Sequence, residues 1–188
     1  RQWFSIAIEL ERQFGPEQRV MAVVGPFNFP GHLANGHIAP AMASGNCVIF
    51  KPSEKSPAVG QIMAEAMHEA GIPAGVFNLV QGEKEVGRRL AVHEGVDGVL
   101  FTGSYEVGLK IKLDTIQQYW KILALEMGGK NAAIIAEDAN LDWALYETLT
   151  GAFTTCGQRC SSTSRIIVHS SKFQEFVDKF HQRSKAFT

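Results

Sequence analysis

Short apolar runs alternate with helix-length stretches from Arg19 onward, and glycines sit at the junctions. These two observations predict an α/β fold, a Rossmann-like parallel sheet with helices on both faces. Strand, helix, strand in repeated order requires crossover connections, and crossovers of this kind place neighbouring strands parallel.

The first strand is expected at residues 20–24, Val-Met-Ala-Val-Val, which has no polar position and therefore suits a strand buried on both faces. A helix follows over 32–44 and stops at Gly45. The second strand, 47–51, leads to a helix over 58–70 that ends at Gly71; the third strand is expected at 76–80. Gly82 then precedes a helix over 84–93, a fourth strand over 99–102, Gly103, and a helix over 106–117. The fifth strand is expected at 121–126.

After Glu126 the character changes. Gly128-Gly129 reads as a hinge, followed by an apolar run at 132–136, a helix over 141–154, a strand at 165–169 and a helix from Lys172. The chain therefore divides into residues 1–127, a nucleotide-binding domain, and residues 128–188, the start of a second domain that carries the chemistry. At about 60 residues this second unit is small for a core of its own. Upstream, Trp3, Phe4, Ile6, Ile8 and Leu10 give the first residues the look of an amphipathic helix, and the sequence has no initiator Met. It reads as a piece of a longer protein.

Composition narrows the class. The 188 residues are 45% hydrophobic and 20% charged, an ordinary balance for a globular protein. A net charge of −1 without a basic stripe argues against nucleic acid as a partner. Cys47, Cys156 and Cys160 match no zinc or disulfide spacing, so no metal is expected and the thiols read as reduced, in the cytoplasm. No apolar stretch reaches the roughly 20 residues that span a bilayer, and the first 19 carry charges where a signal peptide would be apolar.

Several segments bear chemistry. Cys160 lies in Gly157-Gln158-Arg159-Cys160-Ser161-Ser162. An unpaired cysteine is more often a small buried hydrophobe, but an adjacent arginine and backbone donors favour a thiolate. Cys156, four residues earlier, reads as packing. Glu126 closes the fifth strand before Met127-Gly128-Gly129 and should emerge at the carboxyl end of the sheet, where ligand crevices open. A solvated strand-end carboxylate is the plain alternative; a general base for attack of water on a thioester is the functional one. Asn28, between Phe27 and Phe29, is a turn former or a side-chain N–H donor to an oxyanion. Lys51-Pro52-Ser53-Glu54 is a surface turn or a ligand contact, with Ser53 or Ser56 able to cap the next helix. Thr102-Gly103-Ser104 opens a helix whose N-terminus offers N–H groups to a phosphate.

In order and spacing, Phe27-Asn28-Phe29-Pro30, Lys51-Pro52-Ser53-Glu54, Ile72-Pro73-Ala74-Gly75-Val76-Phe77-Asn78, Phe101-Thr102-Gly103-Ser104, Leu125-Glu126-Met127-Gly128-Gly129-Lys130 and Gly157-Gln158-Arg159-Cys160 resemble the motifs of aldehyde dehydrogenases. Gly25 to His32 followed by Asn35-Gly36-His37, with Ile122-Leu123-Ala124-Leu125-Glu126-Met127-Gly128-Gly129, resembles the branch acting on N-succinylglutamate 5-semialdehyde in bacterial arginine degradation. The resemblance implies a small aldehyde substrate, NAD as cofactor and a homo-oligomeric full-length protein. It implies Cys160 as nucleophile, Asn28 as oxyanion donor and Glu126 as base. Lys51 and Glu54 would hold the adenosine ribose and Ser104 the pyrophosphate, with Gly103 and Phe27 also at the cofactor. A carboxylate at the ribose hydroxyls favours NAD over NADP. Two other readings stay open: an enzyme for another small aldehyde, and a nucleotide-binding module without catalysis.

Overall fold

The computed structural model describes residues 19–186. The amphipathic helix expected around residues 3–10 lies outside them. The chain forms two compact units, the first ending at Met127 and the second beginning at Gly128.

The first unit runs β1 (Val20–Val24), α1 (His32–Ala43), β2 (Cys47–Lys51), α2 (Pro57–Glu69), β3 (Phe77–Leu79), α3 (Lys84–Val92), β4 (Gly98–Gly103), α4 (Tyr105–Asp114) and β5 (Ile122–Met127). The five strands pair in the order β3-β2-β1-β4-β5, all parallel. β1 is central and all five of its residues are buried, as its unbroken apolar run requires. From β1 the chain first builds outward through β2 and β3, then returns to add β4 and β5 on the other side. That reversal leaves a crevice outside the carboxyl ends of β1 and β4, the place where ligands bind in open sheets of this kind.

Two clusters hold the helices to the sheet. Ala34, Ile38 and Ala41 of α1, with Met63 and Met67 of α2, pack with Val23, Val48 and Phe50. On the other face Leu90 of α3 and Ile111 of α4 meet Ala22, Val99 and Phe101. Phe50, Ile38 and Leu90 are fully buried, and each such side chain contributes about 1.5–3 kcal/mol.

Boundaries follow local chemistry. β3 is shorter than the expected 76–80, yet ladder bonds still run from Val48 N–H to Val76 O and from Val80 N–H to Phe50 O. α4 stops at Asp114 instead of Gln117 because Thr115 donates its hydroxyl to Ile111 O at 2.7 Å, a local bond that competes with helix continuation.

The second unit contains β6 (Asn131–Ile135), α5 (Leu141–Phe153), a short 3-10 turn Thr154–Gly157, β7 (Thr163–Val168), a 3-10 turn Ser170–Lys172 and α6 (Phe173–Ser184). β6 and β7 pair in parallel, with a register shift between Asn131 and Ala132. Its core is Ile135, Leu145 and Phe176. Asn140 caps α5 by accepting from Trp143 N–H at 3.0 Å.

Candidate active site

In the first unit the predicted residues gather along the carboxyl edge of the sheet. Beyond β1, Gly25 N–H donates to Lys51 O at 3.0 Å and extends the β1–β2 ladder by one rung. A side chain at Gly25 would sit 3.0 Å from the Phe50 ring. That bond sets the start of the Phe27–Pro30 turn, which carries half-buried Asn28 and exposed Phe27. Lys55 Nζ lies 4.8 Å from the Phe27 ring centroid, a cation–π contact between this turn and the turn after β2.

Lys51 ends β2 and is 4% exposed. Its ammonium donates to Glu54 Oε2 at 3.2 Å. Glu54 is half exposed, and its own backbone N–H, followed by the Lys51 ammonium, holds its carboxyl below the usual carboxylate range. Pro52 and Ser53 are buried between them. Neither serine caps α2 through its side chain. Ser53 Oγ accepts from Lys55 N–H; Ser56 occupies the N-cap position without a side-chain bond, and its buried hydroxyl has no partner among the described residues.

At the end of β4, Gly103 leads into Ser104, the N-cap of α4, whose hydroxyl oxygen accepts from Val107 N–H at 3.4 Å. A Cβ at Gly103 would lie 2.5 Å from the Phe101 ring, so no larger residue fits without displacing it. Glu126 on β5 stands in register with Thr102 on β4 and is exposed. Thr102 Oγ1 is 3.0 Å from His37 Nε2 of α1. Burial pushes the His37 imidazole below its ordinary value, and the Glu126 carboxylate opposes that push. His37 thus belongs to the neighbourhood of Glu126, and its approach to Thr102 links positions 65 residues apart, which periodicity does not reveal.

In the second unit Cys160 is an exposed free thiol. It lies in a tight turn in which Ser162 N–H donates to Arg159 O at 3.1 Å and Ser162 Oγ accepts from Arg159 N–H at 3.1 Å. Cys156 is exposed, not packed as expected. Thr155, Cys156 and Gly157 all have positive φ, at 57°, 54° and 68°. A β-branched residue such as Thr155 adopts this left-handed conformation only at a cost. Asn131, which no sequence motif marks, donates its side-chain amide to Cys160 O at 2.6 Å and Ser162 O at 3.1 Å.

Among the described residues no group of three or more His, Cys, Asp and Glu side chains is arranged to hold a metal, and no helix is long and apolar enough to cross a membrane.

A sequence model of the aldehyde dehydrogenase family matches residues 19–188. N-succinylglutamate 5-semialdehyde dehydrogenase of Novosphingobium aromaticivorans is 47% identical over 159 residues, which cover 85% of this chain and 34% of that protein. Among solved structures, gamma-glutamyl-gamma-aminobutyraldehyde dehydrogenase from Burkholderia cenocepacia is similar with a TM-score of 0.86 and 41% identity, over 90% of this chain and 35% of that one. An indole-3-acetaldehyde dehydrogenase in complex with NAD+ gives a TM-score of 0.87 and 35% identity, over 90% and 35%. The chain spans about a third of the length of the relatives it matches. Six motifs in order, a doubly wound parallel sheet and a match over residues 19–188 lead to one conclusion: the chain belongs to the aldehyde dehydrogenase family.

Proposed function

We propose that the complete protein oxidises N-succinylglutamate 5-semialdehyde to N-succinylglutamate with NAD, through a covalent intermediate on Cys160. The observation that carries the chemistry is the carboxyl edge of the sheet, where Lys51 and Glu54 are paired, Ser104 opens α4 and Glu126 stands in register with Thr102. The substrate rests on the 47% identity to a relative named for it.

These residues suit a dinucleotide. Glu54 is kept ionised beside a buried ammonium, which suits ribose hydroxyls and disfavours a 2′-phosphate. The buried hydroxyl of Ser56, without a partner among the described residues, adds a polar atom in the same turn. Gly103 and the first N–H groups of α4 leave backbone donors open to a pyrophosphate, with Phe27 on the neighbouring turn. When bound, NAD supplies the acceptor for the hydride that leaves the aldehyde carbon.

The chain's own residues perform the rest. Cys160 Sγ adds to the aldehyde carbon, and the carbonyl electron pair moves to oxygen, giving a thiohemiacetal. By the family resemblance the Asn28 side-chain N–H and the Cys160 backbone N–H would hold the negative oxygen; one such donor is worth about 3–4 kcal/mol in other enzymes. Loss of hydride leaves a thioester. Glu126 takes a proton from water as the water oxygen bonds to the acyl carbon, the C–S bond breaks, and Cys160 is regenerated as the acid departs. The odd number and the spacing of Cys47, Cys156 and Cys160 suit a reducing, cytoplasmic setting, and the family resemblance supports a homo-oligomer.

A second aldehyde is the competing reading, since a relative of 41% identity is named for gamma-glutamyl-gamma-aminobutyraldehyde. Relative kcat/KM values for the succinylated, gamma-glutamyl and uncharged aldehydes decide between them. Preference for the succinylated compound is expected; preference for an uncharged aldehyde defeats the substrate assignment. A module without catalysis predicts that Cys160→Ser leaves any aldehyde oxidation intact, whereas the enzyme reading predicts its loss with NAD binding retained.

A further inference from the structure

We infer that Asn131 is a positioning residue for Cys160, holding the nucleophile's turn through two carbonyls; the inference rests on the nucleophile assignment above. Three observations converge within the second unit. First, the β6–β7 ladder is irregular where it meets this turn, with the register slipping between Asn131 and Ala132, so regular strand pairing does not continue up to Cys160. Second, the Asn131 amide nitrogen fills that gap. Its two N–H bonds match two acceptors, Cys160 O at 2.6 Å and Ser162 O at 3.1 Å, and a primary amide offers two donors on one nitrogen without charge. Third, the turn is closed on itself by the reciprocal Arg159–Ser162 bonds, and Ser162 is 7% exposed. Movement of the turn as a unit is therefore what remains to be restrained, and Asn131 restrains it at Cys160 itself.

The consequence is directional. Fixing the Cys160 carbonyl fixes the peptide plane that follows the nucleophile and narrows the conformations open to Cys160, including the aim of its Sγ and N–H. Asn131 also begins the strand that follows Gly128-Gly129-Lys130, and Lys130 O accepts from the Arg165 guanidinium of β7 at 3.0 Å. The start of β6 is thus tied to β7 on one side and to the nucleophile's turn on the other.

Asn131→Asp keeps the shape and replaces two donors with acceptors that repel both carbonyls. Asn131→Ala removes the contact, and Asn131→Ser retains one donor. Misplacement of a reacting group by about 1 Å costs on the order of 100-fold in rate, so the Asp and Ala changes are expected to slow acyl-enzyme formation by roughly 10- to 100-fold with KM little altered, and Ser to fall between them and the parent.

The test uses the complete natural protein. The first-turnover rise of NADH is timed by stopped flow, and alkylation of Cys160 and Cys156 by iodoacetamide is followed by peptide mass spectrometry over a pH series. Cys156, exposed and nearby in sequence, serves as the internal reference. Slower first turnover with a changed Cys160-to-Cys156 reactivity ratio supports the positioning role. An unchanged rate and ratio overturn it, as does an equal change at both cysteines, which marks general loosening. Should the Ala and Asp proteins fail to fold, Asn131→Ser decides on the same two readouts. Cys160→Ala separates the two levels of inference: a first turnover that survives this change defeats the nucleophile assignment, independent of Asn131.

Discussion

Gly60→Ala tests whether the turn after β2 is positioned for the cofactor by helix packing. Gly60 lies on α2 and is buried. An added Cβ would stand 2.6 Å from Pro52 Cγ, 3.0 Å from Pro52 Cβ and 3.2 Å from Leu79 Cδ1. Carbon atoms settle at about 3.5–4.0 Å, so α2 and the Pro52 ring must separate by roughly 1 Å. Pro52 is fully buried and its ring is part of the backbone, so the displacement passes to its neighbours, Lys51 and Ser53, and on to Glu54. Alanine gains about 1 kcal/mol over glycine in a helix interior, whereas overpacking a closed core costs about 1–3 kcal/mol. The rigid partner puts this site toward the upper end, leaving a net loss of about 1–2 kcal/mol. Urea unfolding measures that loss and calorimetric titration measures NAD affinity, expected to weaken with the displaced Lys51–Glu54 pair. A stabilised Gly60→Ala protein with unchanged NAD affinity would refute the reasoning.

Two further outcomes follow from buried cationic and titrating groups. Lys121 is 7% exposed and donates to Ala91 O and His93 O, each at 2.8 Å, at the C-terminal end of α3; Lys121→Met leaves those carbonyls unserved and is expected to lower stability by about 2–3 kcal/mol, with a loss too small to resolve in urea unfolding counting against the role. His37 has a folded pKa below its unfolded value of 6.5 because burial disfavours its charge. The unfolded chain therefore binds the proton first, so this group's contribution is present above pH 6.5 and is lost as pH falls below it. His37→Gln should flatten that part of the stability–pH curve, and an unaltered slope would contradict it.

The sheet was legible because its cause is local. Apolar runs such as Val20–Val24 can only be buried on both faces, and the glycines between elements mark where the chain reverses; strand positions match to within a residue or two. Glu126 falls near the carboxyl end of β5, as its place before Met127-Gly128-Gly129 implied. What was not legible depends on contacts between distant positions. The approach of His37 to Thr102 spans 65 residues and that of Asn131 to Cys160 spans 29; neither follows from periodicity. Cys156 is exposed where packing is expected, and it lies in the left-handed backbone at Thr155–Gly157, a conformation that a Thr-Cys pair does not advertise. Residue type alone makes Ser56 a possible cap, while in the fold its hydroxyl is buried and has no partner among the described residues.

The most direct test of the covalent reading is the mass of the Glu126→Gln protein after mixing with aldehyde and NAD. Without the base the thioester should persist, so an acyl adduct is expected on the peptide containing Cys160, together with about one NADH per site and negligible further turnover. Full steady-state turnover with no adduct on Cys160 would contradict it.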